Sequence, residues 1–290
     1  MTAPGVREWL VGHGRRLELG ARARLMAIVN VTPDSFSDGG RHATVGRAVD
    51  HALSCVEEGA DIIDIGGEST RPGATAVSPA EEQDRVLPVI ERLARESDTL
   101  ISIDTYRAET ARLAIAAGAH IVNDVYGLQK DPQIADIAVD TGAGLCVMHT
   151  GRGRQKLDDV IADQFDYLLA SLEIAAAAGV SRHSIVLDPG FGFAKDTEEE
   201  NYALMARFSE LGNFGLPLLV GTSRKRFLAT DTGRKAPERD PATAASSVIL
   251  RLQGAAIFRV HNIPFNRDAL AVADAMLARR PQPHAEEPEC

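Results

Sequence analysis

Aromatic residues are scarce, cysteines are few and basic residues are outnumbered. Phe, Trp and Tyr make up 5% of the chain, with one Trp, while 44% of the 290 residues are hydrophobic. The core must therefore be built mainly from Ala, Val, Ile and Leu, as in proteins of short buried strands and Ala-rich helices. The three cysteines, Cys55, Cys146 and Cys290, have no metal-ligand spacing and cannot all pair, which predicts a reduced, cytoplasmic compartment. A net charge of −10 argues against a nucleic-acid surface, which needs clustered Lys and Arg. It leaves room for a small anion, because a local pocket can be basic on an acidic protein. No run approaches the roughly 18 apolar residues of a membrane span. The early arginines Arg7, Arg15 and Arg16 precede no apolar segment of the kind a secretory signal requires.

Eight short Ile- and Val-rich runs recur along the chain, at residues 25–31, 61–65, 100–104, 120–125, 144–149, 184–188, 217–221 and 255–260. Their near-continuous apolar character predicts strands covered on both faces. Helical patterns lie between them. Val49, Leu53 and Val56 recur at helical spacing over 45–58, with Gly59 as the stop. Residues 79–95 repeat the arrangement behind Ser78 as N-cap and Pro79 at the first helical position. Further helices are expected from Thr105 and Tyr106 to Gly118, over 158–178, 243–252 and 267–278. Eight strands alternating with eight helices predict an α/β fold, a single (β/α)8 TIM barrel over residues 25–279. The competing doubly wound sheet lacks a G-x-G-x-x-G turn after its first strand. Residues 1–24 form an N-terminal extension, a small hairpin or a loose segment; residues 280–290 read as a disordered tail, and 230–240 as a mobile loop.

In such a barrel, chemistry collects just after the strands. Asp104, Asn123, Asp188 and Lys225 follow the third, fourth, sixth and seventh strands. Carboxylates accept paired N–H groups, and Asn and Lys answer ring nitrogen and carbonyl, so the set suits an aminopyrimidine-like edge. The plainer alternative is that buried Asp and Asn only tie loops. A second set, Asn30, Thr70, Arg71, Arg259 and His261, comes from neighbouring strands and suits a phosphate, with Asn30 as an oxygen ligand for Mg²⁺. Its alternative is a surface salt-bridge cluster. The loops after the first two strands carry Gly and Pro hinges and can close over a substrate, or can be ordinary variable loops. Ser223, Arg224 and Lys225 add a hydroxyl and two cations. His149 reads as a packed or loop-orienting residue, no histidines show zinc spacing, and no G-x-S-x-G elbow is present.

The strings Asn-Val-Thr-Pro-Asp-Ser-Phe-Ser-Asp-Gly-Gly from Asn30, Gly-Gly-Glu-Ser-Thr-Arg-Pro-Gly from Gly66, Ser-Ile-Asp-Thr, Asn-Asp-Val, Leu-Asp-Pro-Gly-Phe-Gly-Phe-Ala-Lys, Ser-Arg-Lys-Arg-Phe and Arg-Val-His occur in this order. Together they resemble the bacterial dihydropteroate synthases, from about residue 25 to 278. The resemblance implies condensation of 6-hydroxymethyl-7,8-dihydropterin pyrophosphate with p-aminobenzoate by an SN1-like route. It implies pterin contacts at Asp104, Asn123, Asp188 and Lys225, and pyrophosphate and Mg²⁺ contacts at Asn30, Thr70, Arg71, Arg259 and His261. Ser223 would hold the carboxylate of p-aminobenzoate, with Phe36, Pro72 and Phe193 around its ring. Catalytic roles fall to Asn30, Asp104, Lys225, Arg259 and His261. Sulfonamides should compete for the p-aminobenzoate pocket, and a homodimer is implied. Two positions depart from the family pattern: Ala194 stands where Gly is expected, and Asn262 where Asp is common. The competing functions are a pterin-barrel methyltransferase, which has no use for the pyrophosphate grip, and a catalytically silent pterin-binding paralogue.

Overall fold

The computed structural model describes residues 7–32, 41–69, 77–230 and 232–279, with 41–43 described in their backbone alone. Strands β1 (Arg7–Val11) and β2 (Arg15–Leu19) form an antiparallel hairpin. Its turn places both His13 and Gly14 at positive φ, +59° and +69°, matching the twist of a tight hairpin. The chain then runs β3 (Arg24–Asn30), α1 (Arg41–Glu57), β4 (Ile62–Gly66), α2 (Pro79–Glu96), β5 (Leu100–Asp104), α3 (Ala108–Ala116), β6 (Ile121–Asp124), α4 (Gln133–Thr141), β7 (Gly144–Met148) and α5 (Val160–Ala178). It continues β8 (Ile185–Asp188), α6 (Glu198–Ala206), β9 (Leu219–Val220), α7 (Phe227–Thr230), α8 (Asp240–Leu252), β10 (Ile257–Val260) and α9 (Ile263–Leu277).

Strands β3 to β10 form one parallel sheet ordered β8-β7-β6-β5-β4-β3-β10-β9. A parallel bridge between Leu187 and Leu218 brings the sheet's two ends together, so the (β/α)8 barrel expected from the sequence is what forms. The join is thin. The expected strand at 217–221 shrinks to Leu219–Val220, because Pro217 has no amide hydrogen and contributes only its carbonyl, which accepts from the Leu187 amide at 3.0 Å.

Local signals explain most boundaries. Ser78 caps α2 by accepting the Glu81 amide at 3.2 Å, with Pro79 following, as expected. Asp159 caps α5 through the Ile161 and Ala162 amides, and Gly179 ends it at φ +91°. The helix expected to open at Thr105 begins instead at Ala108. The Thr105 hydroxyl accepts the Arg107 amide at 3.2 Å, which holds these residues in a turn. The expected helix over 243–252 starts earlier, at Asp240, and that over 267–278 at Ile263, where Asn262 caps it and Pro264 fits the first turn. The segment read as a loop before Asp240 contains a 3₁₀ turn, Ala236–Arg239. With α7 and α8 both following β9, the described residues hold nine α-helices rather than eight. No helix among them is long and apolar enough to cross a membrane. The expected tail at 280–290 lies outside the described residues.

The hairpin closes the barrel floor. Trp9, Val11, Leu17 and Leu19 alternate inward and pack with Met26, Ile62, Leu100, Ile121, Val186 and Ile257 from the strands. The Trp9 indole donates to the Ser184 carbonyl at 3.0 Å. Gly144 is needed here, since a Cβ at this position would lie 2.7 Å from Val11 Cγ1. Trp9→Ala should lower stability by about 3–5 kcal/mol, the usual cost of emptying a buried Trp site. Urea unfolding would measure it, and a change under 1 kcal/mol would mean the hairpin only rests on the floor.

Candidate active site

The opposite end of the barrel carries the polar residues. Asp64 interrupts the apolar strand β4 and is buried. Its Oδ2 accepts from Arg259 Nε at 2.6 Å and from Asn123 Nδ2 at 3.1 Å, whereas its Oδ1 is buried with no hydrogen-bond partner. Arg259, on β10, reaches across to Asp104 Oδ2 at 2.9 Å with a second nitrogen. One guanidinium thus joins two carboxylates at the ends of β4 and β5.

Asn30 and Asp104 stand on either side of Gly66: a Cβ added there would lie 3.7 Å from both Asn30 Oδ1 and Asp104 Oδ2.

Across the barrel, Asp188 ends β8 and accepts the Gly190 amide at 2.7 Å. Lys225 Nζ lies 4.1 Å above the Phe193 ring, a cation–π contact that fixes both. Burial pushes Asp104 up to about 7, although Arg259 pulls the other way. Burial likewise pushes Asp188 up to about 6, against the Gly190 amide and the Lys225 cation. Lys225 is brought down to about 8, by burial first and then by Arg259. These are groups held near their switching points at the barrel mouth, where a ligand with matched donors and acceptors would be favoured.

Ser223 Oγ lies 2.9 Å from His261 Nδ1 and accepts the His261 amide at 3.1 Å. Arg224, in contrast, is turned away. At φ +57° it pairs with Asp240 through two nitrogens, at 2.7 and 2.8 Å.

The structure thus gathers Asn30, Asp104, Asn123, Asp188, Phe193, Ser223, Lys225, Arg259 and His261 at one end of the barrel. It also joins residues that the sequence reading placed in separate sets, Arg259 with Asp104 and Ser223 with His261. Phe36, Thr70, Arg71 and Pro72 lie outside the described residues. Asp124 does tie a loop, accepting the Tyr126 and Leu128 amides. Both departures from the family pattern have a local account. Ala194 sits at φ +52°, the conformation that favours Gly. Asn262 donates to Asp240 Oδ2 at 3.1 Å, which an Asp could not do. Asp64 was missed by sequence reasoning; its signal was a lone acid inside Ile-Ile-Asp-Ile-Gly. His149, read as a packed or loop-orienting residue, is buried, but the group it forms with Lys195 and Asp163 beside Asp188 was missed.

A parallel barrel with buried carboxylates, an amide, a lysine and an arginine converging on its mouth is built to hold a small, polar, nitrogen-rich ring. A family model described as "Pterin binding enzyme" matches residues 26–261. The dihydropteroate synthase of Bacillus subtilis is 43% identical over 253 residues, covering 87% of this chain and 88% of that protein. That of Escherichia coli is 42% identical over 277 residues, covering 93% and 97%. Among solved structures, Xanthomonas albilineans dihydropteroate synthase with 4-aminobenzoic acid superposes with a TM-score of 0.88 at 43% identity, covering 94% of this chain and all of that one. The Yersinia pestis dihydropteroate synthase–sulfonamide complex gives 0.85 at 40% identity, covering 93% and 98%. The chain belongs to the pterin binding enzyme family, and within it to the dihydropteroate synthases.

Proposed function

We propose that the chain condenses 6-hydroxymethyl-7,8-dihydropterin pyrophosphate with p-aminobenzoate, releasing 7,8-dihydropteroate and pyrophosphate in folate biosynthesis. The observation that carries this reading is the meeting of Asp104, Asp188, Lys225 and Arg259 at one barrel mouth. Family relatives add support: the Xanthomonas albilineans synthase has been seen in complex with 7,8-dihydropteroate.

In this reading Asp188, Asp104 and Asn123 take the N–H edge of the pterin, and Lys225 donates to a ring acceptor. Arg259 uses two of its five donors on Asp64 and Asp104, leaving others for the pyrophosphate with His261, Thr70 and Arg71. The C–O bond between the methylene and the pyrophosphate breaks, its electron pair leaving with the phosphate. The methylene cation is delocalised into the pterin ring until the p-aminobenzoate nitrogen attacks, and that nitrogen then loses a proton to solvent. Ser223 meets the carboxylate of p-aminobenzoate, and Phe36, Pro72 and Phe193 flank its ring. No protein nucleophile is needed; positioning and charge stabilisation carry the reaction.

Mg²⁺ fits the donor chemistry. Asn30 supplies one neutral oxygen at the mouth, and a pyrophosphate-bound Mg²⁺ needs few protein ligands. When bound, it would offset charge on the departing pyrophosphate. A cytoplasmic setting accords with the free, buried Cys55 and Cys146. A homodimer accords with the exposed Ile249 and Val272 on α8 and α9.

Sulfonamides should inhibit competitively against p-aminobenzoate and not against the pterin. Competition with the pterin alone would contradict the placement of the two pockets. Binding of the pterin should also release protons near pH 6. Its N–H donors favour the charged carboxylates and so pull Asp104 and Asp188 down from about 7 and about 6. Calorimetry at pH 6 in two buffers of different ionisation enthalpy checks this, and identical heats would refute it.

A further inference from the structure

Beside the mouth, a line of buried polar groups leads away from Asp188, and the proposed reaction uses none of them. The amide of Gly190 donates to Asp188 Oδ1 at 2.7 Å, and the carbonyl of the same residue accepts from Lys195 Nζ at 2.9 Å. Lys195 Nζ also lies 3.0 Å from His149 Nδ1, and His149 Nε2 lies 3.0 Å from Asp163 Oδ2. Asp163 is in turn held by Arg154, at 2.9 and 2.6 Å, and by the Leu157 amide at 2.8 Å.

Lys195 is 4% exposed and His149 fully buried. Burying an ammonium group is unfavourable, and an apolar side chain would fill the same space without that penalty. With Lys195 donating to the Nδ1 lone pair, a neutral His149 carries its proton on Nε2, which lies between Asp163 Oδ2 at 3.0 Å and Arg154 Nη2 at 2.9 Å. Burial, followed by the Lys195 cation, brings His149 down to about 4, in keeping with that neutral form. The turn itself leaves no slack. Gly190 is at φ +65°, and a Cβ there would lie 2.0 Å from the His149 carbonyl oxygen. On its other side Asn201 accepts the Gly192 amide at 2.8 Å and donates to the Lys195 carbonyl at 2.9 Å.

We propose that Lys195, His149 and Asp163 form a buried brace that fixes the turn at Gly190, with the peptides on either side of it, and so positions the Asp188 carboxylate for the pterin. Lys195 is the positioning residue at its centre. This rests on the reading of Asp188 as a pterin acceptor. Burial brings Lys195 down to about 7, so on the acid side of neutrality the brace also adds a cation to the surroundings of Asp188, which otherwise faces Lys225, Arg259 and Cys146. Lys195 itself faces Asp188, Asp163, Glu200, Lys156 and His149.

The test is Lys195→Met, with Lys195→Arg as the conservative variant, in the full chain. Pterin affinity measured by calorimetry from pH 5 to 8 should fall roughly 10- to 100-fold in Lys195→Met, as expected of a displaced positioning contact. Its acid limb should move to higher pH, because Asp188 loses a neighbouring cation. KM for p-aminobenzoate should stay near wild type, and Lys195→Arg should restore part of both pterin effects. If Lys195→Met does not fold, His149→Gln, which keeps an acceptor for Lys195 but alters the link to Asp163, should show the smaller affinity loss. Wild-type pterin affinity and acid limb in a folded Lys195→Met protein would overturn the brace alone. Equal losses for pterin and p-aminobenzoate, with an unmoved acid limb, would do the same. A wild-type chain that fails to bind pterin would overturn the functional reading beneath it.

Discussion

Asp188→Ala and Lys225→Ala should each weaken pterin binding on the order of 10²–10³-fold, since truncating one partner of a buried charged hydrogen bond costs about 2–5 kcal/mol. The two residues sit on the same side of the mouth, and each already pulls the other toward its charged form. Their double variant should therefore lose less than the sum of the single losses. Asp188→Asn separates recognition from structure. It keeps an oxygen for the Gly190 amide but places a donor where the pterin needs an acceptor. Stability near wild type with most of the affinity lost is the expected result in calorimetry and urea unfolding. Near-wild-type pterin affinity in either alanine variant would remove these residues from the pterin site.

Arg259→Ala should cost far more than a ligand contact. Its guanidinium is the shared partner of Asp64 and Asp104, and its loss strands two buried carboxylates. Breaking such a pair typically costs about 3–5 kcal/mol. The deficit should depend on pH. The folded-state pKa of Asp104 lies above its unfolded value, raised by burial to about 7. Its contribution to stability is therefore full below the unfolded pKa and lost as pH rises through the folded one. Without Arg259 that folded pKa climbs further, so the variant should be weakest near pH 8 and closest to wild type near pH 4–5. Urea unfolding across that range measures it. A pH-independent deficit, or none, would mean that Arg259 serves only the ligand. Bare pterin binding should suffer as well, because Asp104 loses the group that orients it.

The barrel was legible because eight near-continuous apolar runs alternate with amphipathic segments, and strand ends are where such folds place chemistry. Asp104, Asn123, Asp188, Lys225, Arg259 and His261 were legible for the same reason: each lies at or just after the end of a run. What escaped depends on contacts across the barrel. Nothing in the spacing of Asp64, Asp104 and Arg259 says that one guanidinium joins β4, β5 and β10. Likewise Lys195, His149 and Asp163 come from three segments and meet only because β7 and β8 are neighbours. The hairpin's role as a floor was equally hidden, since its alternation shows an apolar face but not what covers it. The two-residue β9 shows the limit of pattern from the other side. Its apolar run is long enough, but Pro217 cannot supply the ladder with an amide.

The most direct test of the central claim is pyrophosphate release by the purified chain with Mg²⁺ and the dihydropterin pyrophosphate, in the presence and absence of p-aminobenzoate, with the product mass determined. The account predicts turnover that depends on p-aminobenzoate and a product with the mass of 7,8-dihydropteroate. Tight pterin binding with no dihydropteroate formed would contradict it and mark the chain as a pterin-binding protein without synthase activity.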